Sequence, residues 1–416
     1  MWKVYRQCLR SLQLLLALYG SFLLFPLFLV IFSLLKTGLG LDQVGNLISL
    51  LPFLSYGFLG VFLAQNLIRP WIASAREFWF WPILLGLAGL QSLVLIAYLF
   101  YTDSLHTGTV LVVLLLAAAL SAQILRERLG VRLDVGRYCR HLFGFFALIL
   151  LFSFLMSQLR FSFSLILGLA LLFLLDTFLL WGQMENETGT GSPMQSNQAW
   201  LGLLFYAAIL LPLVVVYSSP LGKPVGPYLR LAPAYDRVVL LSLCFYLLFS
   251  AQWLGVRETY LTPVWQEFVH GLNGSASGKQ LEAYEGLCQR RMDTFLFCWL
   301  LEFLLLLVGL FAYSWFQPLT WSNYYIALLL PAYCLLQLLQ VFQSLFQDLL
   351  QFDSVWRLAY CFLGVNLVFA IVSVWAGVFY FGLGFLVSSA LSVALAYRQY
   401  EDLRGQWLYV IVSYYD

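Results

Sequence analysis

Residues 335–353 read LLQLLQVFQSLFQDLLQFD. Five glutamines and two aspartates interrupt a run otherwise built of Leu, Phe, Val and one Ser. The run is apolar enough for lipid, yet an amide left without a partner in hydrocarbon is costly. The stretch therefore predicts a helix in a membrane bundle, with one face turned to protein or water. Residues on a helix advance about 100° each. With Gln337 at zero and the helix continued to Gln351, Gln340 falls at about −60° and Ser344 at about −20°. Gln347 then lies at about −80°, Asp348 at about +20° and Gln351 at about −40°. The six positions share an arc of about 100°, and Gln343, at about −120°, stands outside it. Interhelical hydrogen bonding and a wet lining surface both satisfy such a stripe; its length, about four turns, favours the second.

The rest of the chain supports a membrane setting. Of 416 residues 62% are hydrophobic and 10% charged, with mean hydropathy +0.86. A soluble domain carries about 25% charged residues. The net charge of +2 gives no basic surface for nucleic acid. The seven cysteines show no metal or disulfide spacing and read as reduced, small apolar residues. His106, His141 and His270 are scattered without ligand spacing. No glycine loop with lysine marks a nucleotide site. The sequence thus offers no catalytic residues, metal ligands or cofactor site, and an enzyme is not expected.

A spanning helix needs about 20 apolar residues. Twelve segments qualify: 11–35, 43–66, 78–101, 107–125, 141–158, 160–182, 199–218, 236–256, 294–315, 322–348, 356–377 and 380–398. The run from Leu12 to Leu35, behind the basic MWKVYRQCLR, is too long for a signal peptide core and is expected as a retained first span. Cytoplasmic segments are enriched in Lys and Arg. With both termini in the cytoplasm, the outer side holds only Lys36, Arg160, Lys223, Arg230 and Arg237 of the 22 Lys and Arg. The polar linker QMENETGTGSPMQSNQ, 183–198, falls after the sixth span. The expectation is an all-α polytopic protein: a six-helix bundle over 1–182, the linker, a second six-helix bundle over 199–398 and a cytoplasmic tail, 399–416. A cytoplasmic loop, 261–292, is expected to hold two short amphipathic pieces. Val264, Phe268 and Leu272 share a face of the first; Leu281, Tyr284 and Cys288 share a face of the second, which Gly286 weakens.

Ionisable residues within spans are costly and mark cavities or partners. Asp176 lies deep in LALLFLLDTFLLW and Glu302 in FCWLLEFLLLL. Each lines a polar path or makes one interhelical hydrogen bond; the sequence leaves both open. Arg160, Asp293 and Asp348 stand near helix ends, where interfacial water suffices. The candidate path comprises Gln337, Gln340, Ser344, Gln347, Asp348 and Gln351 with Asp176 and Glu302.

Four stretches resemble the PelG family of exopolysaccharide transporters. VYSSPLGKPVGPYLRLAPAYDRVVLL, 216–241, is similar to that family's outer loop, with Ser219-Pro220 and Tyr235-Asp236 in its "SP…YD" pattern. The segment 261–292 is similar in length. Tyr325 through Gln351-Phe352-Asp353 resembles the tenth helix, and GVFYFGLGFLVSSALSVALAYRQYEDL resembles the C-terminal hairpin. In the N-terminal half the resemblance departs: Tyr19-Gly20-Ser21 with Pro26 stands where the family carries "SGP". The resemblance implies the fold of the multidrug/oligosaccharidyl-lipid/polysaccharide exporter superfamily, two six-helix bundles around a cavity in the bacterial inner membrane. It implies export of a Pel-like, GalNAc/GlcNAc-rich biofilm polysaccharide. Its implied partners are a cytoplasmic glycosyltransferase and membrane regulatory subunits, one sensing cyclic di-GMP. Two other readings remain open: a flippase for a lipid-linked oligosaccharide, which would want buried cations for a pyrophosphate, and a membrane scaffold for the synthase.

Overall fold

In hydrocarbon the backbone must satisfy its own hydrogen bonds, so apolar runs of this length fold as helices. The computed structural model describes residues 135–158, 164–184, 197–224, 230–272, 277–316 and 320–415, with the single positions Gln13, Leu24 and Ala122. The expected spans at 11–35, 43–66, 78–101 and 107–125 otherwise lie outside the described residues, as does Arg160. In order, the helices are α1 (Val135–Gln158), α2 (Ser164–Met184), α3 (Asn197–Ser218), α4 (Pro233–Val256), α5 (Thr262–Leu272), α6 (Gly278–Phe316), α7 (Trp321–Asp348), α8 (Phe352–Ala376), α9 (Leu383–Leu403) and α10 (Trp407–Tyr415). A π-turn, Arg257–Leu261, joins α4 to α5, and the two-residue strands β1 (Lys223–Pro224) and β2 (Arg230–Leu231) pair between α3 and α4. Among the described residues five helical runs are long and apolar enough to cross a membrane: Gly136–Met156, Ala234–Leu272, Gly278–Phe316, Trp321–Asp348 and Phe352–Ala376. By contacts the chain divides into two compact units, the first holding α1, α2 and α3 as far as Tyr206 together with Pro224–Arg230, the second Ala207–Lys223 and Leu231–Asp416.

In the first unit α1 packs against α2. Tyr138, Leu142, Phe146, Ile149 and Ser153 recur every three or four residues and are buried, while Leu148, Leu151 and Leu155 on the other side are exposed. Leu172, Phe173, Asp176 and Leu180 form the buried side of α2.

In the second unit α7 is the central helix, packed between α4 and α9, with α8 against α9. Its start is set by Thr320, whose hydroxyl accepts from the Asn323 backbone N–H at 3.3 Å. Pro233 opens α4, where a missing N–H costs nothing. One turn on, the Asp236 carboxylate accepts from the Ala232 N–H at 3.1 Å and from the Tyr217 hydroxyl at 2.7 Å. The Asp of the "YD" pair therefore ties the end of α3 to the start of α4. The hairpin between α8 and α9 turns through Gly377 and Gly382, both at positive φ (92° and 86°). Close approach follows: a Cβ on Gly384 would stand 2.5 Å from the Phe369 Cβ. Small buried residues on α9, Ser388, Ser389, Ser392 and Ala396, continue that seam.

Pro212 lies inside α3 and removes the N–H that would serve the Ala208 carbonyl. The buried Asn366 side chain on α8 donates its Nδ2 to that carbonyl. A cavity of about 10 Å³ beside it, lined in part by Pro212, Asn366, Phe369 and Gly384, has room for at most one water.

In secondary structure the chain departs from two sequence expectations. The segment 261–292 is not a loop with two short pieces. Its first piece forms α5, burying Val264 and Phe268 as the pattern requires, but its second piece is the beginning of α6, a single 39-residue helix. At about 1.5 Å per residue α6 is about 58 Å long, nearly twice a hydrocarbon core. Gly286 weakens a helix by about 1 kcal/mol relative to alanine. The buried seam Glu285, Cys288, Met292, Phe295 and Trp299 outweighs it. The second departure is at Gln351. Helix α7 ends at Asp348, Leu350 takes φ +60°, and α8 starts at Phe352. The assumed continuation of one helix to Gln351 does not occur, so its computed phase does not apply.

A candidate polysaccharide path on α7

Helices in lipid expose apolar side chains, and α6 and α8 do so. Leu300, Leu301, Leu304, Leu305, Val308 and Phe311 are exposed on α6, and Leu367, Val368, Ile371, Val372, Val374 and Trp375 on α8, with Trp375 at 87%. The second half of α7 is the reverse. From Leu336 to Asp348 every apolar residue is buried: Leu336, Leu338, Leu339, Val341, Phe342, Leu345 and Phe346. The residues that escape full burial there are Gln340 and Asp348, exposed, and Gln343, Ser344 and Gln347, half-buried, all polar. Their helical phases run from about −120° to about +20°, so the open face is wider than the expected arc and centred further round. Gln343, which phase alone placed outside, belongs to it.

Gln337 does not. It is 2% exposed, and its Oε1 accepts from the Trp299 indole Nε1 of α6 at 3.1 Å. At this position interhelical hydrogen bonding is what the structure shows. Further along, the Tyr246 hydroxyl of α4 donates to Gln340 Oε1. Ser344 Oγ donates back to the Val341 carbonyl at 2.9 Å. At the C-terminal end of α7, Arg257 Nη2 donates to both carboxylate oxygens of Asp348, at 2.9 and 3.2 Å. The numbering of these contacts rises together on both helices, with Tyr235 against Tyr325 (ring centroids 5.2 Å apart) at their N-terminal ends, so α4 and α7 run parallel. Glu302 of α6 is half-buried and accepts from Gln252 Nε2 of α4 at 2.8 Å, an α4–α6 hydrogen bond.

Aromatic rings back the polar groups. Trp299 lies nearly parallel to Phe303, centroids 5.1 Å apart, and Phe249 and Trp253 of α4 meet Trp299 and Phe295 of α6. Most of these rings are buried packing between α4 and α6.

The other candidates fall elsewhere. Asp176 is buried in the first unit, its Oδ1 accepting from the Tyr138 hydroxyl at 2.6 Å, an α1–α2 hydrogen bond. Gln351 is half-buried in the turn between α7 and α8. Asp293 accepts from the Tyr400 hydroxyl at 2.8 Å and pairs with Arg404, joining α6 to the end of α9. Gln340, Ser344, Gln347 and Asp348 lie on one side of α7 as their spacing predicts, and their neighbours Tyr246 and Arg257, with the Gln252–Glu302 and Trp299–Gln337 contacts, were not singled out from sequence. Gln252 was findable as an amide inside the apolar run LLFSAQWLGV. Tyr246 and Trp299 were not, because most aromatics in such a chain are packing.

No curated protein matches the chain. The family model for PelG, the exopolysaccharide exporter (EPS-E) family, matches residues 79–402, most of the chain. That span contains α1–α8 and nearly all of α9, including the polar face of α7. With its several membrane-length helices, the chain is a multi-pass membrane protein that belongs to the PelG exopolysaccharide exporter family.

Proposed function

We propose that this protein translocates a Pel-like, GalNAc/GlcNAc-rich polysaccharide across the bacterial inner membrane, along the polar face of α7. Chain leaving a cytoplasmic glycosyltransferase enters at the C-terminal ends of α4 and α7, which the distribution of Lys and Arg assigns to the cytoplasm together with both termini. The chain is laid out as twelve helices in two six-helix bundles, and regulatory membrane subunits complete the machine. The observation that carries this reading is the inverted exposure of α7 between Leu336 and Asp348: apolar side chains in, amides and a hydroxyl out. Amides match sugar hydroxyls and acetamido groups in donor and acceptor number without fixing a charge. Hydrogen bonds between membrane helices are worth about 0.6–1.7 kcal/mol each. Contacts of that size hold a chain loosely enough for it to slide.

The test replaces Gln340, Gln343, Ser344 and Gln347 together by leucine in the native host. At unchanged protein level, secreted polymer should fall at least about tenfold, the cost of about 1.4 kcal/mol in chain binding. Undiminished secretion would show that the chain passes elsewhere.

A further inference from the structure

The polar face is covered unevenly. Along α4 as far as Trp253, four residues before the π-turn, buried residues recur on every turn: Tyr235, Val238, Ser242, Tyr246, Phe249, Ser250 and Trp253. After Trp253 the packing stops. No residue from Leu254 to Pro263 is fully buried, and the α-helix gives way to the π-turn Arg257–Leu261. Such π segments inside a helical run are frequent at functional sites. The far side of the turn is held, because Arg291 of α6 donates to the Tyr260 carbonyl. What holds the near side to α7 is the contact of Arg257 with Asp348. Those side chains are 35% and 39% exposed. Asp348 is the last residue of α7, directly before the turn through Leu350 at φ +60°. An ion pair therefore stands at the mouth of the polar face, between the π-turn that follows α4 and the end of α7.

We infer that the Arg257–Asp348 pair is a separable latch: it holds the end of α4 over Ser344 and Gln347, and its release uncovers that part of the face to admit chain. The inference rests on α7 as the path. The pair suits the task because exposed ion pairs are weak and screened by salt, so the covered and uncovered arrangements lie close in free energy. Apolar packing at the same place would hold the end shut.

The latch is tested on accessibility rather than on secretion, so the two readings can fail separately. Ser344→Cys is introduced into the full-length protein in inside-out membrane vesicles. A membrane-impermeant maleimide is added, and modification at position 344 is read by peptide mass spectrometry. Reading the peptide separates this thiol from the exposed Cys298 and the half-buried Cys361. Arg257→Ala and Asp348→Ala should each raise the labelling rate about two- to fivefold, the range expected for loss of an exposed pair. The double exchange Arg257→Asp with Asp348→Arg should return it to within about twofold of the parent. Added salt should speed labelling of the parent and leave the alanine variants unchanged. Equal rates in the parent and both alanine variants would overturn the latch, as would an exchange variant as fast as the single ones. If the latch behaves as stated while the four-leucine variant secretes normally, α4 gates a surface that is not the polymer path.

Discussion

Replacing Asn366 by leucine should destabilise the second unit, and removing Pro212 should relieve the damage. The proline leaves the Ala208 carbonyl without an intrahelical donor, and the Asn366 amide supplies one from α8. Leucine keeps the bulk and removes the donor. A buried carbonyl stripped of its partner costs about 1–3 kcal/mol in water-soluble proteins. Interhelical bonds in membrane proteins lie nearer about 0.6–1.7 kcal/mol, because the unfolded chain in lipid finds other partners. The adjoining cavity holds at most one water, which offers little substitute. The expected loss is about 1–2 kcal/mol. Pro212→Ala restores an N–H at the right place, so Asn366→Leu in that background should cost about 1 kcal/mol less. The cycle is read from reversible unfolding in mixed detergent micelles with the four proteins compared side by side. An equal cost in both backgrounds, within about 0.5 kcal/mol, would mean that the amide does not serve the freed carbonyl, and the argument from the proline would be wrong.

Two further outcomes follow from the packing. Gly384→Val forces side-chain atoms where even a Cβ would meet the Phe369 Cβ at 2.5 Å, and should cost about 1–3 kcal/mol, seen as a lower melting midpoint in detergent. Glu285 is buried, accepts from Gln289 Nε2 and caps α10, with Oε1 2.9 Å from the Trp407 N–H and Oε2 3.4 Å from that of Leu408. Glu285→Ala should loosen α10 by about 1 kcal/mol, so trypsin should cut at Arg404 severalfold faster while the rest of the chain resists; unchanged cleavage would show that the Trp407 ring alone anchors α10.

Much of the helical fold was legible. The segments at 141–158, 322–348 and 356–377 correspond to α1, α7 and α8 within a few residues, because a run long enough to span lipid has one way to satisfy its backbone. The segment 261–292 was misread for the opposite reason. Its residues are polar enough for a loop, and Gly286 argues for a break. Whether such a segment continues a helix depends on the contacts of Cys288, Met292 and Phe295 and on the Glu285 cap, none of them local. The candidate site divided in the same way. Period alone placed Gln340, Ser344, Gln347 and Asp348 on one side. It could not say that Gln337 meets Trp299 or that Gln343 is open. Nor could it foresee that α7 stops three residues short of Gln351.

Composition and periodicity by themselves determined that this is a helical membrane protein and that one of its helices carries an amphipathic stripe. Both follow from local physics: the length of hydrocarbon to be crossed and the 100° step of a helix. Which part of the stripe is spent on packing and which is left open was decided by tertiary structure alone. That outcome depends on residues 38 to 94 positions away, Trp299 at one end and Tyr246 and Arg257 further along, brought to α7 by the way α4 and α6 pack. An amide is satisfied equally well by a neighbour or by water, so its own sequence carries no mark of which it meets.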